Sequence, residues 1–170
     1  MRLELRKIEH AKSLSEETPA YTAQVWVDGV HFCDVANHGQ GGCDMQYAPK
    51  DKREGFEQRL ADLQARIKEE FPPVKSEYFE EGMEMDLELW CHIQLDEVET
   101  VKALKRSLSN SILFVKEGKL YAIGMSKVAK HQRTQYVRMV KDAPNHKGKG
   151  YVYLNDLTIE EALVLYKKHG

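Results

Sequence analysis

His31, Cys33, His38 and Cys43 lie within thirteen residues and offer imidazole nitrogen and thiolate sulfur, the donors a tetrahedral zinc ion takes. Cys91-His92 could add a further pair. No Cys-x-x-Cys occurs, however. On a strand, His31 and Cys33 share one sheet face, so His38 and Cys43 would have to reach them from a loop. These four are therefore weak metal candidates, and the expectation is no metal and no cofactor. The run Asn37-His38-Gly39-Gln40-Gly41-Gly42 is a second candidate, because glycines let backbone N–H groups converge on an anion. A Walker loop ends in Gly-Lys-Ser/Thr and enters a helix, whereas Cys-Asp-Met-Gln-Tyr follows here. The dinucleotide fingerprint also fails, for want of its third glycine and its βαβ setting. Two readings stay open: a ligand-binding loop using Asn37, His38, Gly39, Gly41 and Gly42, or a wide turn that needs positive φ. Nucleophilic chemistry has little local support. Cys91 and His92 are adjacent, and neighbours on a helix do not face each other. No Gly-x-Ser-x-Gly elbow is present. A metal- or thiol-dependent enzyme whose groups meet only in space is not excluded by spacing, but no reaction is named.

The elements that must hold these residues read as follows. Residues 2–9 predict a strand, and Tyr21–Val27 and Val30–Val35 predict two more around Asp28-Gly29, a strong hairpin signal. Phe56, Leu60, Leu63, Ile67 and Phe71 fall on one helical face, with Asp51 as the expected cap and Pro72-Pro73 as the stop. A second helix is predicted over about 83–108, long enough for a break or kink. Ile112–Lys116 and Leu120–Met125 predict a hairpin around Glu117-Gly118. Residues 127–141 suit a helix and a strand about equally, and a short strand is expected at Tyr151–Leu154. Thr158 and Glu161 form a capping box for the last helix. The expected class is α+β: an antiparallel N-terminal meander and a second hairpin packed on two or three helices. A single domain over 1–170 is expected, divisible into lobes 1–75 and 76–170.

Charge is sorted along the chain. Residues 1–100 carry 22 Asp and Glu against 11 Lys and Arg, and residues 101–170 carry 5 against 14. The net charge of −2 conceals this division. The acidic tract Glu77, Glu80, Glu81, Glu84, Asp86 and Glu88 predicts a surface that attracts a basic partner. Its alternative is a solvated helix face. The basic tract Lys127, Lys130, Arg133, Arg138 and Lys141 suits phosphate or nucleic acid, docking onto an acidic face of the same or another copy, or plain solvation. Three cysteines cannot all pair within the chain, and no apolar run approaches ~20 residues. The first ten residues show no apolar signal core. A cytoplasmic protein without membrane contact is the expectation.

Ser15–Thr18, the Val27-Asp28-Gly29 hairpin and Asn37–Gly42, together with Leu154–Leu157 and Glu160–Leu163, resemble segments of small uncharacterised proteins of bacteriophages and mobile elements. The likeness covers about a third of the chain. It implies an origin and no catalytic residues. The leading expectation is a non-catalytic binding protein that inhibits a host defence system (an anti-CRISPR or similar) by charge-steered binding to a host protein or protein–nucleic acid complex. In a phage-encoded protein the compartment would be the host cytoplasm. The alternative is a nucleotide- or nucleic-acid-binding module using the glycine loop and the basic half. Self-association into a homo-oligomer also fits the charge pattern.

Overall fold

The computed structural model describes residues 1–76 and 79–170, with the side chains of 76–81 outside the description. β1 (Leu3–His10), β2 (Ala20–Val27) and β3 (Val30–His38) form the antiparallel meander. Asp28 and Gly29 turn it with φ of 49° and 82°, the left-handed pair that a type I′ hairpin requires. β4 (Met45–Tyr47) adds a fourth strand beside β3, in the order β1-β2-β3-β4. Three residues are too few to show a period, so this strand leaves no pattern in the sequence.

α1 (Phe56–Glu70) starts four residues later than Asp51 capping would place it. Gly55 occupies the cap in a left-handed conformation, and no side chain caps the helix. The Arg59 guanidinium donates instead to the carbonyls of Lys52 and Glu54, holding 51–55 in turns. Leu63 and Ile67 are buried, and Phe56, Leu60 and Phe71 pack around them, as the spacing predicts. β5 (Val74–Ser76) and β6 (Phe79–Met83) pair antiparallel, so Met83, the expected helix start, ends a strand instead. α2 (Leu87–Asn110) is then one unbroken element of 24 residues. Its start is set by Asp86, whose carboxylate accepts the Leu89 N–H at 2.7 Å.

The chain forms two compact units, Met1–Asp96 and Glu97–Gly170. In the first, Tyr21, Ala23 and Val25 of β2 and Cys33 and Val35 of β3 alternate into a core closed by α1 and the early turns of α2. In the second, β7 (Ser111–Lys116) pairs with β8 (Lys119–Gly124) across Glu117-Gly118, again with positive φ at both residues. Within the stretch 127–141, where helix and strand signals balance, the helix prevails as α3 (Arg133–Asp142), entered through a 3-10 turn. β9 (Val152–Tyr153) lies on the other edge of β7. α4 (Ile159–His169) carries the full Thr158/Glu161 capping box. Leu104, Leu113, Leu154 and Ala162 form this unit's core. The fold is α+β, with sheets of four, two and three strands and four α-helices among the described residues. No described helix is long and apolar enough to cross a membrane.

Candidate functional site

Asn37 and Asp44 are buried polar residues of the first unit, and they organise the glycine loop. Asn37, the penultimate residue of β3, makes four hydrogen bonds. Its amide donates to the Gly42 carbonyl at 2.8 Å and to Asp44 Oδ1 at 3.0 Å. Its carbonyl accepts from the Gly39 N–H at 2.8 Å and the Thr18 hydroxyl at 2.9 Å. Thr18 Oγ1 in turn accepts the Gly41 N–H, and the Gly39 carbonyl accepts the N–H groups of Glu16 and Glu17. The Gly39 and Gly41 N–H groups are thus spent inside the loop. Asn37 and His38 also line a cleft of about 420 Å³ with His10, Leu14 and Thr22.

Asp44 is the centre of the network, with no exposed side-chain surface. Oδ2 accepts the Tyr21 hydroxyl, and Oδ1 faces His92 Nε2 at 3.2 Å. Burial works against the charge on Asp44, but the hydrogen bonds from His92, Tyr21 and Asn37 together prevail and hold its carboxyl below the usual range. The same bond with Asp44 raises the His92 pKa against the effect of burial, and Glu88 and Asp86 add to the rise. Burial pushes the Tyr21 hydroxyl up, helped by Cys91 and Asp44. Burial also pushes up the thiols of Cys33, to about 12, and Cys91, which keeps both protonated near neutrality.

The metal candidates are dispersed. His31 stacks on Trp26 and pairs with Asp34 at 3.2 Å, Cys33 is in the core, and His38 and Cys43 are exposed. Among the described residues, the three-ligand group that comes together is Asp44, Glu88 and His92, with ligand atoms within 4.8 Å of one another. The sequence offers His92, with Cys91, as a further ligand pair, but Asp44 gives no sign in it.

Of the acidic tract, Glu77 lies outside the described residues, as do the side chains of Glu80 and Glu81. Glu84 pairs with Lys68 at 2.7 Å, Asp86 caps α2, and Glu88 belongs to the group above.

Of the basic tract, Arg133 donates to the carbonyls of Val128 and Ser109, tying α3 to the end of α2. Lys141 pairs with Asp156 and stands 4.8 Å over the Tyr153 ring. Lys127, Lys130 and Arg138 are exposed without an ion pair among the described residues, and Lys127 edges a 340 Å³ cleft with Tyr136 and Met139.

An aromatic cluster supplies the remaining chemistry of the second unit. Leu113 and Val115 of β7 join the core, so Phe114 points to the opposite face. Its register partners on both sides are aromatic, Tyr121 on β8 and Tyr153 on β9. Ring centroids lie 5.6 Å from Phe114 to Tyr121, 5.7 Å to Tyr153 and 5.4 Å to Tyr151. His146 packs edge-on at 5.1 Å and shares a hydrogen bond with the Tyr153 hydroxyl. Phe114 is the buried hub, and Tyr121 is 42% exposed. Lys116 stands 5.8 Å from the Tyr151 ring centre. The Tyr121–Phe114 half follows from the two-residue turn at 117–118, which sets the register. The Tyr151 and Tyr153 half rests on β9, which forms within the short strand expected at Tyr151–Leu154, but its pairing with β7 cannot be read locally.

No protein-family model matches the chain, and no curated protein or solved structure shows significant similarity to it.

Proposed function

We propose that the second unit binds single-stranded nucleic acid on the outer face of the β7–β8–β9 sheet. The observation that carries this reading is the set of accessible rings, exposed Tyr121 and half-buried Tyr151 and Tyr153, packed around buried Phe114 and bordered by Lys116 and Lys141. Bases stack on aromatic rings whatever their sequence, at ~1–3 kcal/mol each, while lysines engage phosphates. Residues 97–170 carry 14 Lys and Arg against 7 Asp and Glu, a net +7 that favours a polyanion. Lys119, Lys147 and Lys149 are exposed and have no ion pair among the described residues. Fluorescence anisotropy with labelled 15-mers of dT and rU, and with a duplex, tests the reading. Micromolar binding to the single strands is expected, weakened about tenfold or more by Tyr121→Ala, the loss of one stacking platform. No binding below ~100 μM at low salt would remove the proposal.

A second reading rests on the first unit. Residues 1–96 hold 20 Asp and Glu against 11 Lys and Arg, a net −9. That excess favours charge-steered capture of a basic partner protein, the role expected of a host-defence inhibitor. Its association rate should fall steeply between 20 and 200 mM salt, and a flat profile would exclude steering.

A further inference from the structure

We propose that Asp44, Glu88 and His92 form a binding site for one divalent first-row cation of intermediate hardness, Mn²⁺, Co²⁺ or Zn²⁺. The inference concerns the first unit alone and is independent of the nucleic-acid reading. Two carboxylates and one imidazole present ligand atoms within 4.8 Å of one another. Glu88 and His92 are four residues apart on α2, so they stand one above the other on the same helix face. Asp44 approaches from the connection between β3 and β4. The 3.2 Å between Asp44 Oδ1 and His92 Nε2 lies within the about 3.0–3.4 Å that separates two ligands each ~2.1 Å from one ion.

The electrostatics point the same way. Glu88 is half-buried and has no hydrogen-bond or ion-pair partner among the described residues. Asp44 is fully buried, and Tyr21 and Asn37, two of its three hydrogen-bond partners, are neutral. Two carboxylates, Asp44 and Glu88, stand against the single His92 imidazole. One imidazolium therefore leaves this negative charge under-compensated, and like charges this close are costly unless a cation lies between them. The surrounding bonds act as an outer shell. Tyr21 and Asn37 fix the Asp44 carboxylate, and Tyr21 also packs edge-on against the His92 ring at 5.9 Å. A mixed oxygen and nitrogen set suits Mn²⁺, Co²⁺ and Zn²⁺, and three protein ligands leave positions for water. On binding, the ion replaces the proton between Nε2 and Oδ1. That proton passes to Nδ1 of a neutral ring, or to solvent from a charged one.

The test uses the full chain in a Cys43→Ser background, which removes the exposed thiol beside Asp44. Co²⁺ is titrated by calorimetry and visible absorption. One-to-one saturation in the micromolar range is expected, with Glu88→Gln at least tenfold weaker and its metal-free Tm no lower than the parent's. Absence of heat and of a visible band up to 1 mM Co²⁺ overturns the site, as does a folded Glu88→Gln that binds within twofold of the parent. Independently of that variant, Mn²⁺ at substoichiometric levels should broaden the His92 imidazole NMR signals before those of the other six histidines. Uniform broadening across all of them overturns the site as well.

Discussion

Asp44 and His92 shift each other's proton equilibria in opposite directions, and that fixes the pH range in which the pair stabilises the first unit. The His92 pKa is raised, so its contribution is full below the unfolded value of ~6.5 and is lost as pH climbs through the folded value. The Asp44 pKa is lowered, so its contribution is present above an unfolded value of ~3.9 and is lost as pH falls through the folded value. Together they act most strongly between about pH 4 and 6.5. Thermal melts in EDTA should show wild type losing several degrees relative to His92→Gln between pH 6 and 8.5. Parallel profiles would mean that the pair carries no stability. Asn37 is the other heavily used residue. Asn37→Ala leaves the Gly39 N–H without its partner and removes one of the three hydrogen bonds of Asp44, at ~1–3 kcal/mol for each buried group. Urea denaturation should register a loss of about 3 kcal/mol with an unchanged slope. Little of this was readable in the chain. Asn37 stood out for its glycine neighbours, but Tyr21, Asp44 and His92 are spread over 72 residues and meet only through the sheet and α2.

Elements with a local cause were the readable ones. Asp28-Gly29 and Glu117-Gly118 each supply two adjacent left-handed residues, and hairpins form at both. Thr158 and Glu161 bond reciprocally at the start of α4, so Thr158→Ala should cost ~1 kcal/mol in the second unit. β4, of three residues, exists because β3 offers it an edge, and no local signal announces it, whereas the short strand expected at Tyr151–Leu154 does form as β9. α3 resolves its mixed signals through Arg133, which reaches back to carbonyls of 109 and 128. The glycine loop gives a sharper comparison. A Cβ at Gly39 would lie 2.2 Å from the Leu14 carbonyl oxygen, at φ of +86°, whereas one at Gly42 meets nothing within 4 Å. Gly39→Ala should therefore destabilise by well over ~1 kcal/mol and Gly42→Ala should be close to neutral. Equal effects in chemical denaturation would mean that the close approach to Leu14 is not what fixes the loop.

Charge is the property of the whole molecule that the sequence displays most openly, and the two units keep it apart: net −9 over residues 1–96 and net +7 over 97–170. The total of −2 alone would suggest indifference to polyanions. A strand held on the β7–β8–β9 face responds instead to nearby lysines within a Debye length of ~8–10 Å. Lys116 and Lys141 each have a carboxylate nearby, so the strongest phosphate contacts fall to Lys119, Lys147 and Lys149. With about three to five phosphates neutralised on a single strand, log affinity should fall against log salt with a slope of about −2 to −3.5. Lys147→Ala and Lys149→Ala should each reduce that slope by ~0.7 and weaken dT and rU alike. Tyr121→Ala should lower affinity at every salt concentration and leave the slope unchanged, because stacking releases no counterions. A steep slope that survives both lysine changes would transfer the contact to the free cations of the α3 region, Lys127, Lys130 and Arg138, and away from the aromatic sheet.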